Sequence, residues 1–563
     1  MFQPVSDPVA GSLVLSALVA ALPLVTLFVL LGGLRWKAWQ AGLASLAVAL
    51  GVAVFAFGMP AGQAMLAASE GAAFGLFPII WIVLTAIWIF RLTELTGYDL
   101  VLRRAFGTVS PDHRVQAILI AFCFGALLEA LAGFGTPVAV TAVMLIAVGL
   151  RPLKASAVAL VANTAPVAFG AIAVPITTLA KITGLDADTL GAMVGRQTPV
   201  LAAVVPLVLV FMVDGRRGLR QAWLPATVAG LAFAVAQFVS ANFISYQITD
   251  ILAAVVGALA VVLLLRVWQP PVAEDQTGAA GTYTPAPGAP DGPAPSGGEG
   301  GTVTVTAVES VTGTVTARRA LMAFAPYLVV VVLFTLVSIE PFKTFVGEHS
   351  GWKFAWPGLA VAGADGAPLG AATFNFNLFS AAGTTLLVAG VITAALLRVR
   401  AGEAARALVG VVVQFRFTIL TVVAVLALAY VMNFSGQTVT LGLALASTGG
   451  FFAFLSPVVG WIGVAVTGSD TSSNSLFGLL QTTAAEQTGI SPYLLAAANT
   501  SGGVLGKMIS PQNLAIAAAV VGMEGRESLL FRRVVGWSLG LLLVMCLLVL
   551  LQSTPVLGWM VVS

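Results

Sequence analysis

Charge is what this chain has least of. Lys and Arg number 26 and Asp and Glu 23 in 563 residues, 9% in all, where a soluble domain carries roughly 25%. So few charges cannot cover a folded surface in water, and with 59% hydrophobic residues and a mean hydropathy of +1.01 the solvent over most of its area must be lipid. Cysteine and histidine are nearly absent. Cys123 and Cys546 lie far apart inside apolar runs and read as small buried hydrophobes. His113 and His349, without a His-Glu-x-x-His or Cys-x-x-Cys string, leave no metal-ligand set, and no cofactor is expected. No nucleophile–base set is present either, so an enzyme is not expected. The net charge of +3 is thinly spread, which argues against a nucleic-acid partner.

Long apolar runs are what is there. The first, about 11–33, follows a start without Lys or Arg. It exceeds the roughly 7–15 residues of a signal-peptide core, and reads as a retained spanning helix. A span needs about 20 apolar residues. Full crossings are expected at 11–33, 37–58, 72–92, 155–180, 198–213, 222–242, 247–266, 320–338, 377–397, 409–432, 493–521 and 534–552. Two further apolar regions, 115–150 and 452–485, are broken in the middle by Gly133-Phe134-Gly135-Thr136-Pro137 and by Gly468-Ser469-Asp470-Thr471-Ser472-Ser473-Asn474. Arms of roughly 15 residues are short for a crossing, and irregular backbone at membrane depth requires protein or a wet cavity around it. Both regions are expected to be re-entrant hairpins with polar tips.

The bias of Lys and Arg toward cytoplasmic loops orients this map. With both termini outside, the inner connections hold Arg35 and Lys37; Arg91, Arg103, Arg104 and Arg114; Arg151 and Lys154; Arg216, Arg217 and Arg220; Arg266; Arg318 and Arg319; Arg398, Arg400 and Arg406; and Arg526, Arg532 and Arg533. The outer ones hold Lys181, Arg196, Lys343 and Lys353. The first hairpin then enters from the cytoplasm and the second from outside. The apolar stretch 438–449 is the weak point of this map: a crossing there would put Arg526, Arg532 and Arg533 outside, which counts against it. Residues 270–317, rich in Gly, Pro, Thr and Ser with acids but no Lys or Arg, read as a disordered cytoplasmic linker between halves 1–269 and 318–563.

The halves match at their polar breaks. Gly133-Phe134-Gly135-Thr136 aligns with Gly468-Ser469-Asp470-Thr471, and Ala162-Asn163-Thr164 with Ala498-Asn499-Thr500, at offsets that differ by a single residue; Gly170 then matches Gly506 and Pro175 matches Pro511. An odd number of expected spans separates the hairpins, which inverts the second copy. The fold class expected is an all-α polytopic membrane protein with about 12 full spans, built on two inverted repeats. Each repeat has a hairpin (115–150, 452–485) and a broken helix (155–180, 493–521), the pattern of secondary transporters.

The strings CFGALLEALAGFGTPVAV (123–140), VANTAPVAFGA (161–171), TGSDTSSNSLFG (467–478) and AANTSGGVLGKMISPQ (497–512) resemble those of the lactate permease family, which includes glycolate permeases. The likeness runs from about residue 8 to residue 550, the linker apart. It implies proton-coupled uptake of lactate or glycolate at the bacterial cytoplasmic (inner) membrane. It also implies kinship with the ion-transporter superfamily of hairpin-bearing, elevator-type carriers, which are often homodimers.

For a small anion, unpaired N–H groups at hairpin tips and helix breaks are favourable partners. Binding is expected from Gly133, Phe134, Gly135, Thr136, Asn163 and Thr164 in the first repeat, and from Ser469, Thr471, Ser472, Ser473, Asn474, Asn499, Thr500 and Lys507 in the second. An intramembrane acid is costly and usually functional. Glu129, four residues before the first tip, is expected to carry the coupled proton, with Asp470 as a second ionisable group; Lys507 would offset the substrate carboxylate or pair with Asp470. Sodium coupling and an anion channel remain alternatives from the residues alone. Ser501 to Met508 imitates a phosphate-binding loop but lacks its first Gly and its Mg²⁺-binding hydroxyl, so no nucleotide site is read there.

Overall fold

The computed structural model describes residues 1–34, 36–101, 109–133, 135–271, 317–338, 351–362, 372–376, 378–379, 381–523 and 526–562. Most of the 270–317 linker, and Phe134 at the first tip, lie outside the described residues. In chain order the helices are α1 (Leu13–Leu31), α2 (Ala38–Phe55), α3 (Ala61–Leu95), α4 (His113–Leu131), α5 (Thr136–Ala147), α6 (Pro152–Ala162), α7 (Val167–Thr183), α8 (Ala187–Ile244) and α9 (Thr249–Val267). After the linker come α10 (Ala317–Ser338), α11 (Ala382–Leu396), α12 (Ala401–Gln414), α13 (Arg416–Ser435) and α14 (Gln437–Ala446). The last are α15 (Gly449–Thr467), α16 (Asp470–Thr488), α17 (Pro492–Gly506), α18 (Pro511–Ala519) and α19 (Glu527–Gln552). A short antiparallel hairpin, β1 (Trp352–Ala355) with β2 (Thr373–Phe376), pairs Trp352 with Phe376.

Among the described residues nine helical runs are long and apolar enough to cross a bilayer, or ten with the bent pair α6–α7, whose axes differ by 61°. This is a multi-pass membrane protein. The number is lower than the twelve expected, for local reasons. The two spans expected at 198–213 and 222–242 form one run, α8, interrupted at Asp214, Gly215 and Ala222; it folds back so that a Cβ on Gly230 would lie 2.4 Å from the Ala203 carbonyl oxygen. The span expected at 377–397 is only 15 residues long, and that at 493–521 is split into α17 and α18. Conversely, the first arms of the two hairpins, α4 and α15, each run 19 residues, longer than the roughly 15 expected on span-length grounds. The stretch 438–449 holds α14, ten residues, about 15 Å at the helical rise and too short to cross.

Contacts sort the loops into two ends. At one, Arg114 pairs with Asp112 at 2.6 Å and Asp214 at 3.2 Å, and Lys154 Nζ donates to the Val213 carbonyl. At the other, Phe2 N–H donates to the Ala360 carbonyl, Lys181 Nζ to that of Thr373, and the Asp186 N–H to the Tyr493 hydroxyl. The uninterrupted helix from Ala187 to Val213 separates these ends by about 40 Å. The base of the α4–α5 hairpin therefore sits at one end, and the return of the α15–α16 hairpin at the other.

Helices in lipid gain little from apolar burial and rely on close backbone approach. The α15–α17 contact is the tightest instance: Cβ atoms on Gly460, Gly502 and Gly506 would fall 1.9, 2.1 and 2.3 Å from backbone oxygens of the facing helix. Gly502→Ala should lower stability by about 1–3 kcal/mol as an overpacking change, read as a lower melting temperature in detergent. Gly540→Ala, whose Cβ would meet no described atom within 4 Å, should not.

Candidate functional site

The first tip turns at Gly135, whose φ of +86° is left-handed and whose missing Cβ makes room for Ile516 Cδ1 of α18, 2.5 Å from where that atom would stand. Thr136 and Pro137 open α5, with Pro in the first turn, where its lost N–H costs nothing. Glu129 lies one turn before the tip. The next helix breaks after α6 at Asn163, and Ala171, Ile172 and Ala173 all take positive φ, a conformation L-residues adopt only where the surroundings enforce it. In the second tip Gly468 (φ +75°) ends α15, Ser469 caps α16 by accepting the Ser472 N–H at 3.3 Å, and Asp470 begins that helix. The second helix break falls later than expected. α17 runs unbroken through Asn499 and Thr500 to Gly506 and gives way only at Lys507–Ile509.

That displacement decides the charge pairing. The break brings Lys507 to the first tip, and its Nζ lies 2.6 Å from Glu129 Oε1. The partner is thus Glu129 and not Asp470. Asn163 Nδ2 donates to the other oxygen, Oε2, at 2.9 Å. Gly133 and Gly170 give the carboxylate its room: a Cβ at Gly170 would stand 2.8 Å from Oε1. Asp470, 3% exposed, has no hydrogen-bond partner on either oxygen among the described residues.

Glu129, Asp470 and Lys507 border one cavity of about 60 Å³, several times the roughly 10–15 Å³ that one water requires. Ser469, Thr471 and Gln512 complete its polar side; Val167, Ala171, Val174 and Pro175 form an apolar one; and Gly133, Gly170 and Gly468 let backbone reach it. Of the residues expected to bind, Gly133, Ser469, Thr471 and Lys507 therefore line the cavity, with both expected acids.

The other described ones stand apart from its lining. Asn474 Nδ2 donates to Thr500 Oγ1 at 2.7 Å and to the Pro175 carbonyl at 3.1 Å. Asn499 Nδ2 donates to Asn474 Oδ1 at 2.8 Å, and Gln481 Nε2 to Asn499 Oδ1 at 3.1 Å. This fully buried network ties α16, α17 and α7 together. Ser473 Oγ donates to the Gly460 carbonyl and Thr164 Oγ1 to that of Val161, while Ser472 gives its N–H to the Ser469 cap. Gly135 and Thr136 shape the first tip. The sequence reading missed Gly170, although the repeat flagged it, and Gln512, which carried no signal.

The L-lactate permease family model matches residues 16–556. The chain is 41% identical to the glycolate permease GlcA of Escherichia coli (strain K12), over 98% of each chain. It is 40% identical to the L-lactate permease of Bacillus subtilis (strain 168), again over 98% of each. The L-lactate permease of Escherichia coli (strain K12) is 39% identical over the whole of both chains. Among solved structures, the Alcanivorax borkumensis YdaH transporter aligns over 86% of each chain at 17% identity with a TM-score of 0.42.

Proposed function

The chain belongs to the L-lactate permease family, and from that premise we propose that it carries lactate or glycolate into the cell with protons. The observation that carries this reading is the Lys507–Glu129 pair, 2.6 Å apart at the wall of a small polar cavity. A substrate carboxylate and the Glu129 carboxylate compete for the same ammonium. With Glu129 ionised, Lys507 is neutralised and the entering anion finds no free cation. A proton on Glu129 releases Lys507 to the substrate, so anion and proton enter together and neither is favoured alone. Asp470, Ser469 and Thr471 at the start of α16 supply donors for the substrate's hydroxyl and remaining oxygen, a neutral Asp470 donating its own proton. Asn163 holds Glu129 in place, and the Asn474–Asn499–Thr500 network fixes the second tip.

In this reading the two hairpins are inverted repeats of an elevator-type carrier, the first entering from the cytoplasm and the second from outside, with both termini outside. The clustering of Arg114 and Lys154 near Asp214 and Val213, beside Arg216 and Arg217 in sequence, supports that orientation through the basic bias of cytoplasmic loops. Uptake of labelled L-lactate into proteoliposomes under an imposed pH or Na⁺ gradient, with D-lactate, glycolate and succinate as competitors, tests the whole. A pH gradient alone should drive accumulation; accumulation under Na⁺ alone would replace the proton.

The apolar wall has a role in selection. Val167, Ala171 and Val174 take the substrate's methyl, so Val174→Phe should penalise lactate more than glycolate. A methyl-sized difference is worth about 1–3 kcal/mol, or roughly 10–200-fold, read as the ratio of the two uptake efficiencies. Equal losses for both substrates would remove this wall from selection.

A further inference from the structure

A second buried acid lies apart from this cavity. Asp250, in the first turn of α9, is 1% exposed, and among the described residues its Oδ2 meets no hydrogen-bond partner. Its Oδ1 accepts from Gln237 Nε2 at 3.5 Å. The same nitrogen donates to the Ala165 carbonyl at 3.3 Å, in the break between α6 and α7 and two residues beyond Asn163, which holds Glu129. Thr198 Oγ1 donates to Gln237 Oε1 from the facing stretch of α8. On the other side of Asp250, Thr249 Oγ1 donates to Ser240 Oγ and to the Ser245 carbonyl. These residues flank the 245–248 turn, at the end of the molecule where Arg196 meets Asn242. A polar seam thus runs from that end to the Ala165 carbonyl, two residues from the Asn163 that bonds Glu129.

An acid in a helix's first turn is ordinarily held by the helix dipole at a wet surface. Buried away from water instead, an acid is costly, and within a membrane protein it usually serves transport. α9 packs against α8 and against α4, which carries the buried acid Glu129. With Asp470 on the same cavity as Glu129 and Lys507, three carboxylates share one ammonium and stand two protons short of neutrality.

We propose that Asp250 is a second proton-binding group of the transport cycle, standing between the 245–248 end and Glu129; this rests on the proton-symport reading. The Asp250 carboxylate takes a proton from water at that end and becomes neutral. It then yields the proton to the Glu129 carboxylate, which lets go of Lys507, and Asp250 returns to its anion.

The test uses the full chain in proteoliposomes. Asp250→Asn should cut uptake driven by an inward pH gradient about tenfold or more, while lactate–lactate counterflow without a gradient changes by less than about twofold, a split in the range of ordinary coupling energies. Unchanged pH-driven uptake, or equal loss of both activities, overturns the proposal. Should the Asn variant not fold, Asp250→Glu decides: a titrating group moves the pH profile of uptake, and an unmoved profile overturns it. Wild-type uptake that ignores the pH gradient would remove the symport reading and this inference with it, whereas normal wild-type coupling with an unaffected variant removes the inference alone.

Discussion

Glu129→Gln should abolish accumulation of lactate against a gradient while exchange of internal for external lactate persists. The amide imitates the protonated acid: it keeps the shape and the contact with Asn163 but cannot hold Lys507 as an ion pair. Lys507 is then available to the substrate in every step, so the anion binds more tightly and no proton need accompany it. Removing one member of a buried ion pair costs about 3–5 kcal/mol. The variant without ligand should therefore melt well below the parent, and saturating lactate should restore much of that loss. Accumulation that still follows the pH gradient would exclude Glu129 from coupling.

Lys507→Met should have the larger effect on binding. It leaves Glu129 and Asp470, 3% exposed each, at one cavity with no cation between them and the incoming anion. Losing a buried, hydrogen-bonded charge partner typically costs 2–5 kcal/mol, so affinity should fall by about 30- to 5,000-fold. Exchange and net uptake should disappear together, in contrast with Glu129→Gln. Isothermal binding or counterflow measures this directly, and a variant that still exchanges lactate at normal concentrations would sink the assignment of Lys507. The double variant Glu129→Gln/Lys507→Met should recover thermal stability, because neither charge is stranded, yet remain inactive.

How much of this was legible in the residues follows from the kind of signal each carried. Membrane class was written in apolar run length. The two tips were legible because glycines and hydroxyls interrupting apolar arms have no other economical place in a bilayer, and Glu129, Asp470 and Lys507 stood out as charges there. The partner of Lys507 was not legible. It depends on α17 continuing through Asn499 and Thr500 to Gly506, and Asn-Thr in an otherwise apolar helix looks like a break until its side chains are seen to be satisfied by Asn474 and Gln481. Asp250 was overlooked because it sits three residues inside its apolar run, where an acid reads as a water-facing end. Only the packing of α8 and α4 around α9 buries it. Gly170 was visible as a repeat position, but its service to Glu129 is a contact between segments far apart in the chain.

The pairing of residues 378 positions apart also has a consequence for how the protein is made. Chains emerge from the ribosome at about 5–20 residues per second, so Glu129 is delivered to the bilayer roughly 20–75 s before its counter-ion has been synthesised. The amide of Asn163, which is 34 residues behind it, arrives within about 2–7 s. The Asn163 amide is thus the partner that synthesis brings to the acid first, well before the last quarter of the polypeptide brings the lysine.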